Sequence, residues 1–155
     1  MGFCKPRTSK AWLKNIKDEI MNAVDMNLID GVYVSKHAVI AGDVSIGKGS
    51  NIWPYVSIRG DVAAIKVGER VSIQDQVMLH CRHKIDLEIG DDVVIGSGAQ
   101  IIGPVKVGNG ARIAANAVVV KDVPESATMV GIPAKNVGMA NEEFKPYAVT
   151  DESEK

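Results

Sequence analysis

Aliphatic residues recur at every sixth position through most of this 155-residue chain. Small or β-branched residues recur four places after the aliphatic one, and glycine often follows it directly. The phase slips twice, after Ile58 and after Leu79. A period of six fits neither an α-helix nor a simple strand, and it predicts short strands joined by tight turns. The column consists of Leu28, Val34, Ile40, Ile46, Ile52, Ile58, Val67, Ile73, Leu79, Ile89, Ile95, Ile101, Val107, Ile113 and Val119.

This repeat predicts a chain coiled as a triangular prism, with one short strand on each face. The aliphatic residue points inward, the glycine relieves the turn, and the small residue lets the next coil stack. We therefore predict an all-β fold, a parallel β-helix of about five coils over residues 28–122. Composition agrees, because only 5% of the residues are aromatic and small or β-branched side chains dominate.

Two flanking segments complete the predicted organisation. Residues 1–27 form an N-terminal helical segment, in which Ser9 caps a helix over residues 10–26 with an apolar face. Residues 123–155 form a C-terminal extension that leaves the repeat, with a short helix near Asn141 and a polar tail. The length suits one domain with its own core.

Charge and hydropathy exclude several classes of partner. A formal net charge of −1 argues against nucleic acid or an anionic membrane as the main partner. The chain has no apolar run of about 18 residues and no signal-peptide core, so we expect a cytoplasmic protein. Cys4 and Cys81 are then expected to be free thiols.

The repeat over residues 28–122 resembles the hexapeptide-repeat superfamily, whose fold is a left-handed parallel β-helix. The resemblance implies a homotrimer with active sites between neighbouring prisms.

The first half, through "NIWPYVSIRGDVAAIKVG" and "VSIQDQVMLH", is similar to the γ-class carbonic anhydrases. That resemblance implies that Arg59, Asp61, Gln74 and Asp75 organise the subunit interface and the active site. It also makes His80 a zinc ligand.

The zinc site implied by that family is incomplete here. Its other two ligands fall on Ser97 and Ile102, and isoleucine cannot bind a metal, whereas catalytic zinc needs about three protein ligands. His83 could supply a second ligand and nothing obvious supplies a third. The sequence therefore argues against a zinc cofactor, with His80 the one metal ligand if any metal is bound.

The second half resembles the hexapeptide-repeat acyltransferases, including the serine and the galactoside or maltose acetyltransferases, through "VVVKDVP" and "GIPAK". The resemblance implies acetyl-CoA as co-substrate, with Ser97 and Ala115 along the pantetheine arm. Lys121 and Lys135 become its phosphate partners. It also places a catalytic histidine at His80.

Acyl transfer needs a base near neutral pKa, and histidine suits that task. We assign His80 as the base, with Asp75 or Asp61 orienting its ring, while a relic of a zinc site or an interface hydrogen bond stays an alternative. His83, beside the second phase slip, is a second candidate for the base or for acceptor binding. Cys81 should point away from His80, because neighbours along a strand face opposite sides.

The preferred interpretation is an acetyltransferase that uses acetyl-CoA and a small hydroxyl or amine acceptor, serine or sugar-like. Serine acetyltransferases usually carry a large helical domain before the prism, which keeps other acceptors open. Two alternatives remain: a γ-carbonic-anhydrase-like protein with an altered zinc site, and a non-catalytic trimeric scaffold.

Overall fold

The computed structural model of the protein describes residues 25–82 and 84–140. Within these ranges the chain forms strands and no helix, so the described part contains no helical segment able to cross a membrane. The strands are β1 (Met26–Ile29), β2 (Val32–Ser35), β3 (Val39–Ile46), β4 (Asn51–Ile52), β5 (Ser57–Val67), β6 (Ser72–Ile73), β7 (Met78–His80), β8 (Leu87–Ile89), β9 (Val94–Ile95), β10 (Gln100–Ile102), β11 (Lys106–Val107), β12 (Arg112–Ile113), β13 (Val118–Val119), β14 (Ala127–Val130) and β15 (Lys135–Met139).

These strands stack in parallel on three faces, which confirms the predicted parallel β-helix. The first face is formed by β2, β4, β6, β9, β12 and β14. The second face contains the first halves of β3 and β5, followed by β7, β10 and β13. The third face contains the second halves of β3 and β5, followed by β8 and β11.

The predicted inward column forms the core of the prism. From Ile52 onward its members are buried, and those at Ile52, Ile58, Ile73, Leu79, Ile95 and Ile101 are fully so. The small residues four places later, such as Ala99 and Ala117, are buried beside them. The period of six therefore predicts which side chains point inward.

The first coil departs from this pattern. Leu28 is 62% exposed and Ile40 is 38% exposed, although both belong to the repeat. Leu28 lies on β1, which pairs antiparallel with β2 and is not a rung of the parallel stack. Ile40 is a rung of β3, which among residues 25–82 and 84–140 pairs with β5 alone. A rung with a neighbour on one side buries less apolar surface than one between two neighbours.

The repeated glycines serve the stacking of coils. A Cβ built on Gly47 would lie 2.6 Å from the carbonyl carbon of Gly68 in the next coil, and one on Gly96 would lie 2.6 Å from the backbone nitrogen of Ala115. Neither glycine has a left-handed φ. Their role is thus close approach between coils rather than the relief of a turn that the sequence suggested.

Four complete turns separate Val34 from Ile113 on the first face, and Met129 stacks after them. The count of about five coils stays a prediction.

The predicted helix over residues 10–26 lies outside the described residues except for its last two positions, where Met26 begins β1. His83 and the predicted helix near Asn141 also lie outside the described residues.

The first face has an antiparallel strand at each of its ends. β1 pairs antiparallel with β2 at the start, and β15 pairs antiparallel with β14 at the finish. Every other pairing on this face is parallel. The reversal at β15 brings Lys135 back beside Val130.

Candidate functional site

Both phase slips of the repeat fall on one corner of the prism, between the second and third faces. Ile58 and Val67 are nine residues apart, and Leu79 and Ile89 are ten apart, where the regular spacing is six. Because β5 pairs with β7 before the corner and with β8 after it, the two longer segments lie next to each other. We call this the enlarged corner; its described parts are residues 61–64, 81–82, 84–86, 103–105 and 120–122.

The other two corners are regular. At equivalent places in successive coils they hold one residue with a left-handed φ between +54° and +75°. Asparagine and glycine adopt this conformation most readily, whereas a bulky side chain there is uncommon. These positions are Tyr55, Gln76, Gly98 and Asn116 at the corner between the first and second faces, which we call the first corner, and Gly49, Arg70, Asp92, Gly110 and Ser126 at the corner between the third and first faces.

His80 ends β7 at the edge of the enlarged corner. Leu79 points into the core, so the His80 side chain points outward, with a quarter of its surface exposed. Its Nδ1 lies 3.2 Å from the backbone carbonyl oxygen of Arg59, its register partner on β5. A carbonyl oxygen can only accept, so Nδ1 carries the hydrogen in this contact, and in the neutral ring the lone pair is then on Nε2. That is the form a general base requires.

An acidic side chain stands on the same side of the ring. Asp61 Oδ1 lies 3.6 Å from His80 Nδ1, and Asp61 Oδ2 accepts a hydrogen bond of 2.9 Å from Arg59 Nη2. The Arg59 guanidinium holds the pKa of the Asp61 carboxyl below its usual value. Asp61 is therefore ionised beside the ring and would stabilise an imidazolium at His80.

Of the two acidic residues considered from the sequence, the structure brings Asp61 and not Asp75 to His80. Asp75 lies at the first corner, and its backbone carbonyl accepts the N–H of Gly98. The coil-to-coil register decides between the two, because Arg59 stacks under His80 and Asp61 follows it.

The positions of the implied zinc site do not fit a metal. Ile102 pairs with His80 in the next rung and has no donor atom. Ser97 lies at the first corner, where its N–H and its Oγ approach Gln74 Oε1 at 3.3 and 3.4 Å. Within residues 25–82 and 84–140, no three histidine, cysteine, aspartate or glutamate side chains converge as a metal site.

Cys81 follows His80 and points the other way. Its thiol is fully buried and donates to the backbone carbonyl of Ala64 at 3.2 Å. Burial raises the pKa of this thiol. The prediction that Cys81 and His80 face opposite sides is confirmed.

An apolar strip that the sequence reasoning did not identify runs from His80 toward the C-terminal end of the prism. Ile102 lies one rung beyond His80, and Val120, half exposed, follows Val119 in the next rung. Since Ile101 and Val119 are buried, both strip residues point outward. The alternation around the repeat column was the signal that could have revealed this strip.

Lys121 and Lys135 line one cavity at the end of that strip. The cavity measures about 240 Å³, and its other walls include Val120, Pro133 and Ala134. The two lysines are 14 positions apart in sequence, and the chain reversal between β14 and β15 brings them together. The sequence-predicted phosphate partners thus share a pocket on the side of His80 occupied by Ile102.

Ala115 and Gln74 line a different cavity, on the first face. It measures about 520 Å³ and has small or apolar walls such as Gly96 and Ala114, with Arg112 among its polar residues. Ser97, in contact with Gln74, lies at the first corner. The turn at Gly98 and the length of β10 separate Ser97 from Ile102, so the two residues lie at opposite ends of the second face. Within one chain, therefore, Ser97 and Ala115 do not meet His80.

Comparison with known proteins agrees with this architecture. Residues 86–121 match the family model described as bacterial transferase hexapeptide (six repeats). A solved structure of a hexapeptide transferase family protein from Anaplasma phagocytophilum is 32% identical, with a TM-score of 0.53, over 74% of this chain and 83% of that one.

Two curated relatives point to different chemistries. The serine acetyltransferase of Mycobacterium tuberculosis is 37% identical over 117 residues, which is 73% of this chain and 48% of the relative. The "Probable carbonic anhydrase" of Methanocaldococcus jannaschii is 47% identical over 72 residues, 46% of this chain and 45% of the relative. The chain thus spans about half the length of the curated relatives it matches.

Proposed function

Since the chain belongs to the bacterial transferase hexapeptide family, we propose that it is an enzyme that transfers an acetyl group from acetyl-CoA to a hydroxyl or amine of a small acceptor. The observation that carries this proposal is the His80 ring. Its Nδ1 is held on the Arg59 carbonyl, which leaves Nε2 free on an outward surface between a charged pair and an apolar strip.

In the proposed reaction, Nε2 of His80 takes the proton from the acceptor as its oxygen or nitrogen attacks the thioester carbonyl. The new bond gives a tetrahedral oxyanion, for which backbone N–H groups of the turns are suitable donors. The carbon–sulfur bond then breaks, and the CoA thiolate receives the proton from the imidazolium. Asp61 stabilises that imidazolium while it carries the charge.

The cavity of Lys121 and Lys135 is the proposed site for the phosphates of CoA. Two ammonium groups in one small cavity suit a ligand that carries several negative charges. Val120 and Ile102 then form an apolar track of two rungs, roughly 10 Å, from this cavity toward His80. A donor bound in this way brings its thioester to the base.

We also propose that the active unit is a homotrimer. Ser97, Gln74 and Ala115 lie at or beside the first corner, at the other end of the second face from His80, so they could line the same groove only if they came from a neighbouring copy. The pantetheine arm would then lie between the His80 corner of one subunit and the first face of the next.

The acceptor is proposed to be serine or a small sugar-like alcohol. The serine acetyltransferase similarity supports serine, and the Arg59–Asp61 pair would offer charged partners to its carboxylate and ammonium groups. Because the chain spans about half of that relative, an acceptor screen should include amino acids, amino sugars and simple sugars.

The second candidate, a carbonic-anhydrase-like activity, has support from sequence similarity alone. The position beside His80 holds Ile102, which provides no ligand atom. A non-catalytic scaffold is the third candidate, and it would bind neither acetyl-CoA nor zinc.

Titration calorimetry with acetyl-CoA on the full chain, together with metal analysis, tests these candidates. We expect saturable binding near one site per subunit, weakened at least tenfold by Lys135→Glu. Lys48→Glu is the matched control, because it makes the same charge change at an exposed place on another corner. Stoichiometric zinc without CoA binding would overturn the proposal in favour of the second candidate.

Subunit mixing tests the shared groove. His80→Ala and Ala115→Trp chains should each be inactive, and unfolding and random reassembly of an equal mixture should restore roughly one quarter of the activity, because one interface in four would carry both native residues. No recovery would place the complete site within one subunit.

A further inference from the structure

Ile102 is the outward side chain next to His80 on the side of the lysine cavity. The two residues are register partners on β10 and β7, and the N–H of Gly103 donates to the His80 carbonyl at 3.0 Å, which holds the two strands together at this point. Adjacent strands lie about 4.8 Å apart, so these two side chains stand side by side on the second face.

The surroundings of His80 differ in polarity on its two sides. On the side of β5 lie Arg59 and Asp61, joined by a 2.9 Å hydrogen bond. On the other side lie Ile102 and then Val120, which lines the cavity of Lys121 and Lys135. An acyl-CoA whose phosphates occupy that cavity would extend past Ile102 and bring its thioester to His80. The acceptor would then lie on the other side of His80, next to Arg59 and Asp61.

We propose that Ile102 is a specificity-determining residue that limits the length of the acyl group accepted beside His80; this inference rests on the proposed function. The acceptor atom must lie about 3 Å from Nε2 and about 3 Å from the thioester carbon. The acyl group on that carbon therefore occupies the space next to the histidine ring.

Ile102 fills part of that space with a stiff side chain. A β-branched residue on a strand has little freedom to move aside by changing χ1, and the strand that carries Ile102, β10, is held between β7 and β13. Each extra methylene of a longer acyl chain then meets the isoleucine instead of open volume.

The second face offers a matched control. Val118 also points outward, because Val119 is buried, and it is partly exposed like Ile102. It belongs to the other outward column of the face, since its register partner is Gln100 rather than Ile102. Truncation there removes a similar apolar group without opening the space beside His80.

Titration calorimetry with acetyl-, propionyl- and butyryl-CoA on the full chain tests the inference without an identified acceptor. We expect the native protein to bind acetyl-CoA more tightly than butyryl-CoA. Ile102→Ala should raise the affinity for butyryl-CoA relative to acetyl-CoA by about 10- to 100-fold, since one methylene in an apolar pocket changes discrimination by that order. Ile102→Val should give a smaller change in the same direction, and Val118→Ala should leave the ratio unchanged.

The outcomes separate this inference from the proposed function. If acetyl-CoA binds and the butyryl-to-acetyl ratio is the same in the native protein and both Ile102 variants, Ile102 is not a specificity determinant and the transferase proposal stands. If no acyl-CoA binds the native protein, both proposals fall. The affinity ratio compares two ligands on the same variant, so a loss of stability would not produce the expected shift. If Ile102→Ala does not fold, Ile102→Val provides the test.

Discussion

The regular corners and the enlarged corner of this prism differ in what their residues do. The regular corners place one residue with a left-handed φ at the equivalent position in coil after coil, and the coils stack on them without insertion. The enlarged corner breaks the repeat in two adjacent coils and holds Asp61 beside His80. A solenoid can therefore gain residues at one corner while the rungs on either side keep their register.

This separation has an energetic basis. In a stacked repeat, each coil is stabilised mainly by the buried side chains of its neighbours. The residues gained at the enlarged corner include Val62 and Ile85, which are exposed by about half, so they add little to the core. Stability and chemistry should therefore respond to different substitutions.

The sharpest test of this contrast is His80→Ala. With an acceptor found by screening, we expect kcat for CoA release to fall by about 10²- to 10⁴-fold, because the general base is lost. Lys48→Ala, at an exposed place on the corner between the third and first faces, is the control and should retain activity. Equal loss in both variants would mean that the corners do not differ in function.

Ile73→Ala should have the largest effect on stability. Ile73 is fully buried in the first face, and its truncation should lower the free energy of unfolding by about 2–5 kcal/mol. Ile85→Ala at the enlarged corner, where the side chain is 57% exposed, should change it by at most about 0.5 kcal/mol. Denaturant unfolding of both variants measures the comparison, and a large loss at Ile85 would show that this corner stabilises the fold.

Tyr55→Asn should stabilise the protein slightly. Tyr55 has a φ of +62°, whereas the equivalent corner position three coils on holds Asn116 at +58°. Asparagine tolerates this conformation better, but the substitution also removes the stacking of the Tyr55 ring on His37, so we expect a net gain of at most about 0.5 kcal/mol in the free energy of unfolding. The reciprocal variant, Asn116→Tyr, should lose a similar amount, and thermal unfolding can follow both.

The smallest expected effect concerns the charge beside His80. Arg59→Gln should raise the pKa of Asp61 toward its ordinary value of 3.8, because the guanidinium that lowers it is gone. The sign follows from linkage: the lowered pKa contributes stability above pH 3.8 that is lost as the pH falls through the folded-state value. A carboxyl ¹³C titration of both proteins measures the shift, and an unchanged Asp61 value would remove Arg59 as its cause.

The sequence predicted the solenoid because one period governs every rung. The inward positions of Ile52, Ile73 and Ile101 follow from local alternation, so no long-range information was needed. The prediction that Leu28 and Ile40 are buried was wrong. The hexad repeat does not show which of the described coils is the first in the parallel stack.

The candidate site was harder to predict from the sequence than the fold, because it depends on which residues of neighbouring coils lie next to each other. Asp61 and Asp75 were equal choices until the stacking of Arg59 under His80 decided between them. Lys121 and Lys135 share a cavity because the chain reverses at β15, and a hexad pattern carries no sign of a reversal. Ser97 lies at a turn of the prism, and the hexad pattern did not show that this turn is at the other end of the second face from His80.

The antiparallel strands β1 and β15 have a consequence for the behaviour of the protein at high concentration. A parallel stack presents unpaired N–H and C=O groups at its end, which is a template for the strands of another molecule. A strand that runs in the opposite direction, such as exposed β15 with its lysine, interrupts that template on the first face. The two reversals therefore interrupt the parallel pairing at both ends of the first face, where another molecule would otherwise add a further rung.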